Sequence, residues 1–226
     1  MSAGENMQLA LIGCGSIFDA AQAAWTRLGN KHGLDVAEYD LLTMPLTSTD
    51  TISSDVTAYL AGMDPAKVRV FAAVDHNALN HARLDAYACV RLRGFKCATL
   101  IHPDAMVEPD VQLGENCWIG AGAIVSSGVR VGNNTFIAAG TRIDANVQIG
   151  NNAWIGLGAA LGNHARIGMH SIVGADVKIA ANVTLGRHCV IDVPGAYATS
   201  LPDGTFIDPL FAFPVHIFGN TVRSTG

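Results

Sequence analysis

Charge is scarce in this chain. Asp, Glu, Lys and Arg make up 15% of its 226 residues, and the net charge is −5 at pH 7. No basic stripe runs along it, which excludes the electrostatic footprint of a nucleic-acid binder. Long hydrophobic runs are missing too. "LALIG" (9–13) is the longest near the N-terminus, far short of a signal h-region or a membrane span. The expectation is a soluble, cytoplasmic chain with no membrane partner. Paired cysteine motifs are also absent. The five cysteines (Cys14, Cys89, Cys97, Cys117, Cys189) are odd in number and hold no CxxC, so they read as reduced, buried thiols and not as a disulfide frame. What the chain does have is apolar residues, half of the total. That is enough for a sizeable core and too many for disorder.

The first half, 1–98, alternates strand and helix. "MQLALIG" reads as a buried strand, followed by the turn "GCGS" and an Ala-rich helix ended by Gly29. "GLDVAEYDLL" and "KVRVFAAV" read as further strands, "TSTDTISSDVTAYLAGMD" and "NALNHARLDAYACVRLRG" as helices with Gly62 and Gly94 past their ends, and "KCATLI" as a last strand. This is the grammar of a small, Rossmann-like parallel α/β sheet.

The second half follows another rule. Every sixth residue from Ile101 to Ile191 is Leu, Ile or Val, sixteen positions without a slip. Neither a 3.6 nor a 2.0 period demands that spacing. Three sides of six residues make an 18-residue triangular coil, the hexapeptide signature of a parallel β-helix. "VQLG", "VRVG", "VQIG", "ARIG" and "VTLG" begin at 111, 129, 147, 165 and 183, each 18 apart. The aliphatic points inward, and the Gly usually behind it is read as easing the bend. Coils should stack at ~4.8 Å over 99–193, with a Pro- and Phe-rich tail (194–226) packing on the open end of the column or on a neighbouring copy. Asn116, Asn134, Asn152, His170 and His188 share one 18-residue column. They read as a corner ladder bonding the turn backbone, with a metal site on the histidines as the rival reading. A smooth prism lacks a deep pocket, so function should sit in grooves between copies, a trimer being the natural closure.

Three stretches carry a resemblance: "LALIGCGS", "FAAVDHNALNHAR" and "ATLIHPDAMV", the last being the most specific. On these the chain resembles the sialic acid O-acetyltransferase and nucleotide-amino-sugar N-acetyltransferase family, the bacillosamine-pathway acetyltransferases included. The resemblance implies a left-handed β-helix homotrimer, a sugar nucleotide held by the N-terminal domain, and acetyl-CoA as co-substrate along the column. It also implies a His general base and no metal. By position it places the sugar nucleotide at Gly13, Gly15, Ser16, Asp75 and Asn77, and the coenzyme at Gly156, Asn163, Gly174 and Ala175.

The departures matter as much. The family's Gly-x-Gly-Gly-His turn is Gly13-Cys14-Gly15-Ser16-Ile17 here. Gly13 and Gly15 can still offer N–H groups to a phosphate, or form a bare structural turn. Asp75 can touch a ribose or uracil edge, or cap the next helix. The family's Arg after this segment is replaced by His81. The position of the family's base is Ala145, which moves no proton. Asp144 and His164 are the candidate replacements, with His164 also readable as one more corner histidine. The tail holds Phe206, Phe211, Phe213 and Phe218, and its first basic residue is Arg223. The expected function is acetyl transfer from acetyl-CoA to an amine or hydroxyl of a nucleotide-linked sugar in glycan biosynthesis. The alternative is a trimer that binds a sugar nucleotide without turning it over. A metal site of the γ-carbonic anhydrase kind is a third reading.

Overall fold

The computed structural model describes residues 7–28, 39–75 and 77–217. Gly29, His76, Phe218, Arg223 and the start of the second expected strand lie outside them. The N-terminal part runs β1 (Met7–Cys14), α1 (Ser16–Leu28), β2 (Tyr39–Pro45), α2 (Ile52–Leu60), β3 (Val68–Val74), α3 (Asn77–Leu92) and β4 (Lys96–Cys97). Its four strands form a parallel sheet in the order β2-β1-β3-β4. β1 and β3 are buried on both faces, as a sheet with helices on each side requires. Gly13 is fixed by that packing, because a Cβ there would stand 1.7 Å from the carbonyl oxygen of Ala73.

From Leu100 onward two-residue strands repeat and pair in parallel, each with the residue 18 positions on: Phe136 with Trp118 and Trp154, Ile137 with Ile119 and Ile155. They build three sheets, one per side of the column. The six-step aliphatics face inward, and Ile137, Ile155 and Val173 are fully buried. A second inward register stands two residues before each of them, in small side chains: Cys117, Ala123, Ala153, Ala159 and Ala165 are fully buried too. Where that position is hydroxylic, the hydroxyl donates to a carbonyl of the coil, as Thr135 does to Gly150 and Ser171 to Gly186. The five cysteines are free, and burial pushes the Cys97 thiol up to about 12.

The glycines behind the aliphatics do a different job from the one expected. A Cβ on Gly120, Gly132 or Gly156 would come within 2.4–2.6 Å of the next coil. These glycines permit stacking at strand distance. From Leu113 to Leu185 the bend is made three residues after each aliphatic, by a left-handed residue. One corner holds Asn116, Asn134, Asn152, His170 and His188, another Gly128, Asn146, His164 and Asn182, and the third Gly122, Gly140, Gly158 and Asp176. Gly and Asn tolerate φ > 0 best, which explains their recurrence.

The Asn column is also wired differently from the expected turn ladder. Asn116 donates to Asn134 and Asn134 to Asn152, each at 2.7 Å, and Asn152 donates to Nδ1 of His170 at 3.1 Å. The His170 and His188 rings stack, 4.7 Å apart. This ladder docks the N-terminal sheet on the column. Asn116 exchanges hydrogen bonds with the backbone of Ala72, and Asn80 donates to Asn152. The fully buried Arg83 of α3 donates to the carbonyls of Asn134 (2.5 Å) and Asn116 (2.8 Å). Burial pushes its guanidinium down to about 10.

The column does not stop at residue 193. Gly195–Tyr197 pairs with Val177–Ile179, Leu201 bridges Leu185, and Thr205–Ile207 pairs with Val190–Ile191. These residues make one more coil, two residues shorter on one side, with Tyr197, Leu201 and Ile207 as its wedges. Phe206 packs there, half-buried, whereas Phe211 and Phe213 are exposed on the single chain.

Candidate active-site cleft

The outward side of the eight-stranded sheet is apolar and aromatic. Trp118, Phe136 and Trp154 stack one coil above another, with centroids 6.3 and 4.0 Å apart. α1 lies across this side, and two adjoining cavities open between them. The larger, about 590 Å³, is lined by Ser16, Ile17 and Asp75 from the sheet domain and by Phe136, Trp154, Gly156, Leu157, Gly174, Ala175, Asp192 and Asp208 from the column. The smaller, about 400 Å³, shares Ser16, Ile17, Phe136, Ala138 and Leu157 and adds His102, Trp118 and the alanines of α1. Grooves between copies are therefore not the chain's one concave feature. A cleft lies within the chain, where the two architectures meet.

This cleft brings together residues from the two expected sets: Ser16 and Asp75 for an acceptor, Gly156, Gly174 and Ala175 for a coenzyme. Gly156 and Gly174 owe their small size to coil stacking, since a Cβ on Gly156 would stand 2.6 Å from Gly174. The same lack of side chain leaves flat backbone on the cleft wall.

The turn at α1 departs from the expected phosphate cradle. Asp75 caps α1. Ser16 N–H donates to one carboxylate oxygen and Ile17 N–H to the other, both at 3.0 Å, and the Ser16 hydroxyl donates as well at 3.2 Å. Gly15 has φ +80°, and a Cβ on it would stand 2.3 Å from this carboxylate. The helix-terminal donors that would meet a phosphate are thus already taken by an anion. Gly13 serves sheet packing. Asn77 opens α3, and its side chain lies outside the described part.

The proposed bases lie elsewhere. Asp144 lines a groove of about 450 Å³ on the six-stranded side, together with Arg142 and Lys178, and its Oδ1 accepts the N–H of Ala145 at 2.8 Å. His164 is an exposed left-handed corner residue whose N–H donates to the Ala145 carbonyl at 3.1 Å. Asn163 sits in the same turn, its Oδ1 buried and unbonded among the described residues. A third groove, about 670 Å³, runs along the five-stranded side past Arg130, Arg166 and Arg187. Among the described residues no cluster of three or more His, Cys, Asp or Glu side chains is placed to hold a metal ion.

His102 is the cleft histidine that sequence reasoning passed over. It sits in "ATLIHPDAMV", which was read as a family signal and not for its chemistry. Its ring is nearly buried, and Nδ1 accepts the N–H of Asp104 at 3.2 Å.

The family described as GMPPB C-terminal domain matches residues 95–195. No curated protein matches the chain. Among solved structures, a variant of GDP-perosamine N-acetyltransferase from Caulobacter crescentus, in complex with CoA and GDP-perosamine, is 21% identical with a TM-score of 0.71. That match covers 88% of this chain and 92% of the other. The acetyltransferase domain of PglB from Neisseria gonorrhoeae, in complex with acetyl coenzyme A, is 20% identical with a TM-score of 0.62, over 93% of this chain and all of that one. WeeI from Acinetobacter baumannii AYE is 14% identical with a TM-score of 0.54, over 92% of this chain and 100% of its own. At these identities the likeness shows the fold alone, a left-handed parallel β-helix.

Proposed function

We propose that the chain is an acyltransferase that moves an acetyl group from acetyl-CoA to an amine or hydroxyl of a nucleotide-linked sugar, as in glycan biosynthesis, and that it works as a homotrimer. The observation that carries this reading is the cleft between α1 and the column, where Ser16 and Asp75 meet Gly156, Gly174 and Ala175. Two relatives in fold, solved with CoA or acetyl-CoA, support it. The acceptor's amine or hydroxyl attacks the thioester carbonyl, and the coenzyme leaves as its thiol. Aromatic walls at Phe136 and Trp154 suit a sugar or base face. Because Asp75 occupies the α1 terminus, the nucleotide phosphates are held away from it. Asp144 and His164 can reach this reaction only when a neighbouring copy brings them to the cleft, which is one role for the trimer.

The test is thiol release from acetyl-CoA by the full chain, with a panel of UDP- and GDP-linked amino sugars. Release that depends on the acceptor is expected; none with any acceptor, from folded trimer, refutes the reading. A second reading has its own observation. Ala145 stands where the resemblance puts the base, and neither candidate replacement lines the cleft. A scaffold that only binds a sugar nucleotide should show calorimetric heat with the nucleotide and none with acetyl-CoA.

A further inference from the structure

An attacking nucleophile has to lose a proton, and neither Asp144 nor His164 lines the cleft. We propose that Asp192 is the general base of this cleft and that the group it serves is an amine. The proposal rests on the acyl-transfer reading above.

The column itself places the residue. One register on the aromatic side runs Gly120, Ala138, Gly156 and Gly174, each directly behind an inward wedge, and the next coil puts Asp192 there, behind Ile191. Its backbone is held by the last coil, the N–H donating to the Ile207 carbonyl at 2.7 Å. Asp192 therefore stands one coil spacing, ~4.8 Å, from Gly174 and two from Gly156, and all three line the same cavity. The carboxylate leans back over Gly174: a Cβ on that glycine would stand 2.5 Å from Asp192 Oδ1. It overlies the flat backbone against which the thioester is expected. Two other carboxylates line this cavity, and both accept backbone N–H groups, Asp75 from Ser16 and Ile17, and Asp208 from Leu210 at 2.8 Å. Among the described residues nothing donates to the Asp192 carboxylate, which leaves its oxygens to a substrate. It reaches the cleft within its own chain.

The chemistry of a carboxylate selects the nucleophile. It is a weaker base than imidazole and cannot strip a sugar hydroxyl ahead of attack. An amine nitrogen becomes strongly acidic once its lone pair has formed the C–N bond, and then yields its proton to a carboxylate. No Lys or Arg lines the cavity, so its field attracts a protonated amine.

The step balances without a further reactant. The amine lone pair forms the C–N bond, and the carbonyl π pair moves onto oxygen. The proton on the now cationic nitrogen passes to Asp192. Collapse restores the carbonyl and breaks the C–S bond, the sulfur leaving with the bonding pair. The thiolate, a stronger base than a carboxylate, takes the proton from Asp192 and regenerates it.

The test uses the full chain with acetyl-CoA, UDP- and GDP-linked amino sugars and their hydroxyl counterparts, and the variants Asp192→Asn and Asp192→Ala. Ala suits this register, as Ala138 shows. Thiol release by wild type should require the amine. Both variants should bind acetyl-CoA as wild type does in calorimetry, and should lose about 10²- to 10⁴-fold in kcat with KM little changed. Added formate or acetate should restore part of kcat in Asp192→Ala, where space is left for it, and none in Asp192→Asn. Wild-type kcat in either variant, a loss in Asp192→Ala that neither anion restores, or faster turnover of the hydroxyl counterpart overturns the assignment and leaves acyl transfer standing. No thiol release by wild type with any acceptor overturns both. If one variant does not fold, the other and the amine preference of wild type decide the matter.

Discussion

Truncating one inward wedge tests the architecture on which the cleft depends. Ile137 is fully buried and stacks between Ile119 and Ile155. Ile137→Ala removes three carbons, about 2.4 kcal/mol of transfer free energy at ~0.8 per group. The coils on either side are held by backbone hydrogen bonds, Gly120 N–H to the Ile137 carbonyl at 2.8 Å and Ala138 N–H to the Ile155 carbonyl at 2.9 Å. They cannot close on the space, so a cavity term brings the expected loss to about 3–4 kcal/mol. The control is Gln148→Ala, at an exposed outward position on another side, with an expected change within about 0.5 kcal/mol. Urea unfolding at one fixed protein concentration, read by circular dichroism, measures both. If Ile137→Ala costs no more than the control, the side chain does not point inward and the triangular interior is wrong.

Three other outcomes follow from particular contacts. Arg83→Met removes the donors of the Asn116 and Asn134 carbonyls, at roughly 1–3 kcal/mol for each buried acceptor left unpaired, partly offset because a charge is no longer buried; hydrogen exchange of the α3 amides should speed up. Burial, then His188 and His81, hold His170 below the ordinary imidazole range. The unfolded chain therefore takes up that proton first, so stability is full above pH ~6.5 and declines as pH falls through the unfolded value toward the folded one. In His170→Asn, which suits the same left-handed corner, the urea midpoint should change less between neutral and acid pH. Asp75→Ala frees the N–H groups of Ser16 and Ile17, so inorganic phosphate should shift their amide resonances in the variant and not in wild type. The lost cap should also cost about 1 kcal/mol; phosphate shifting those amides in wild type refutes the closed terminus.

The column was legible because it is built from a local rule. One wedge per six residues is visible wherever the rule holds, and it was lost after Ile191, where Tyr197 replaces an aliphatic and the next side is two residues short. The glycines behind the wedges were visible but misread. Their reason is the backbone of the neighbouring coil, which a one-dimensional pattern does not display. The corner register of Asn, Gly, His and Asp was half-seen, as a single column of five. The cleft was less legible, because its contacts are distant in sequence. Asp75 caps a helix that begins 59 residues earlier, and Arg83 reaches two successive turns at one corner of the column. His102 escaped notice because a motif read as a signature was not also read as an imidazole with a neighbour. Asp144 is the chain neighbour of Ala145 and His164 stands one coil further on, near the expected groove; neither lines the cleft.

The most direct measurement is a crystal structure of the full chain grown with acetyl-CoA. The account expects the thioester in the cleft between α1 and the aromatic side, against the backbone of Gly156, Gly174 and Ala175. Acetyl-CoA bound with its thioester on either of the other two sides of the column, or not bound at all, contradicts it.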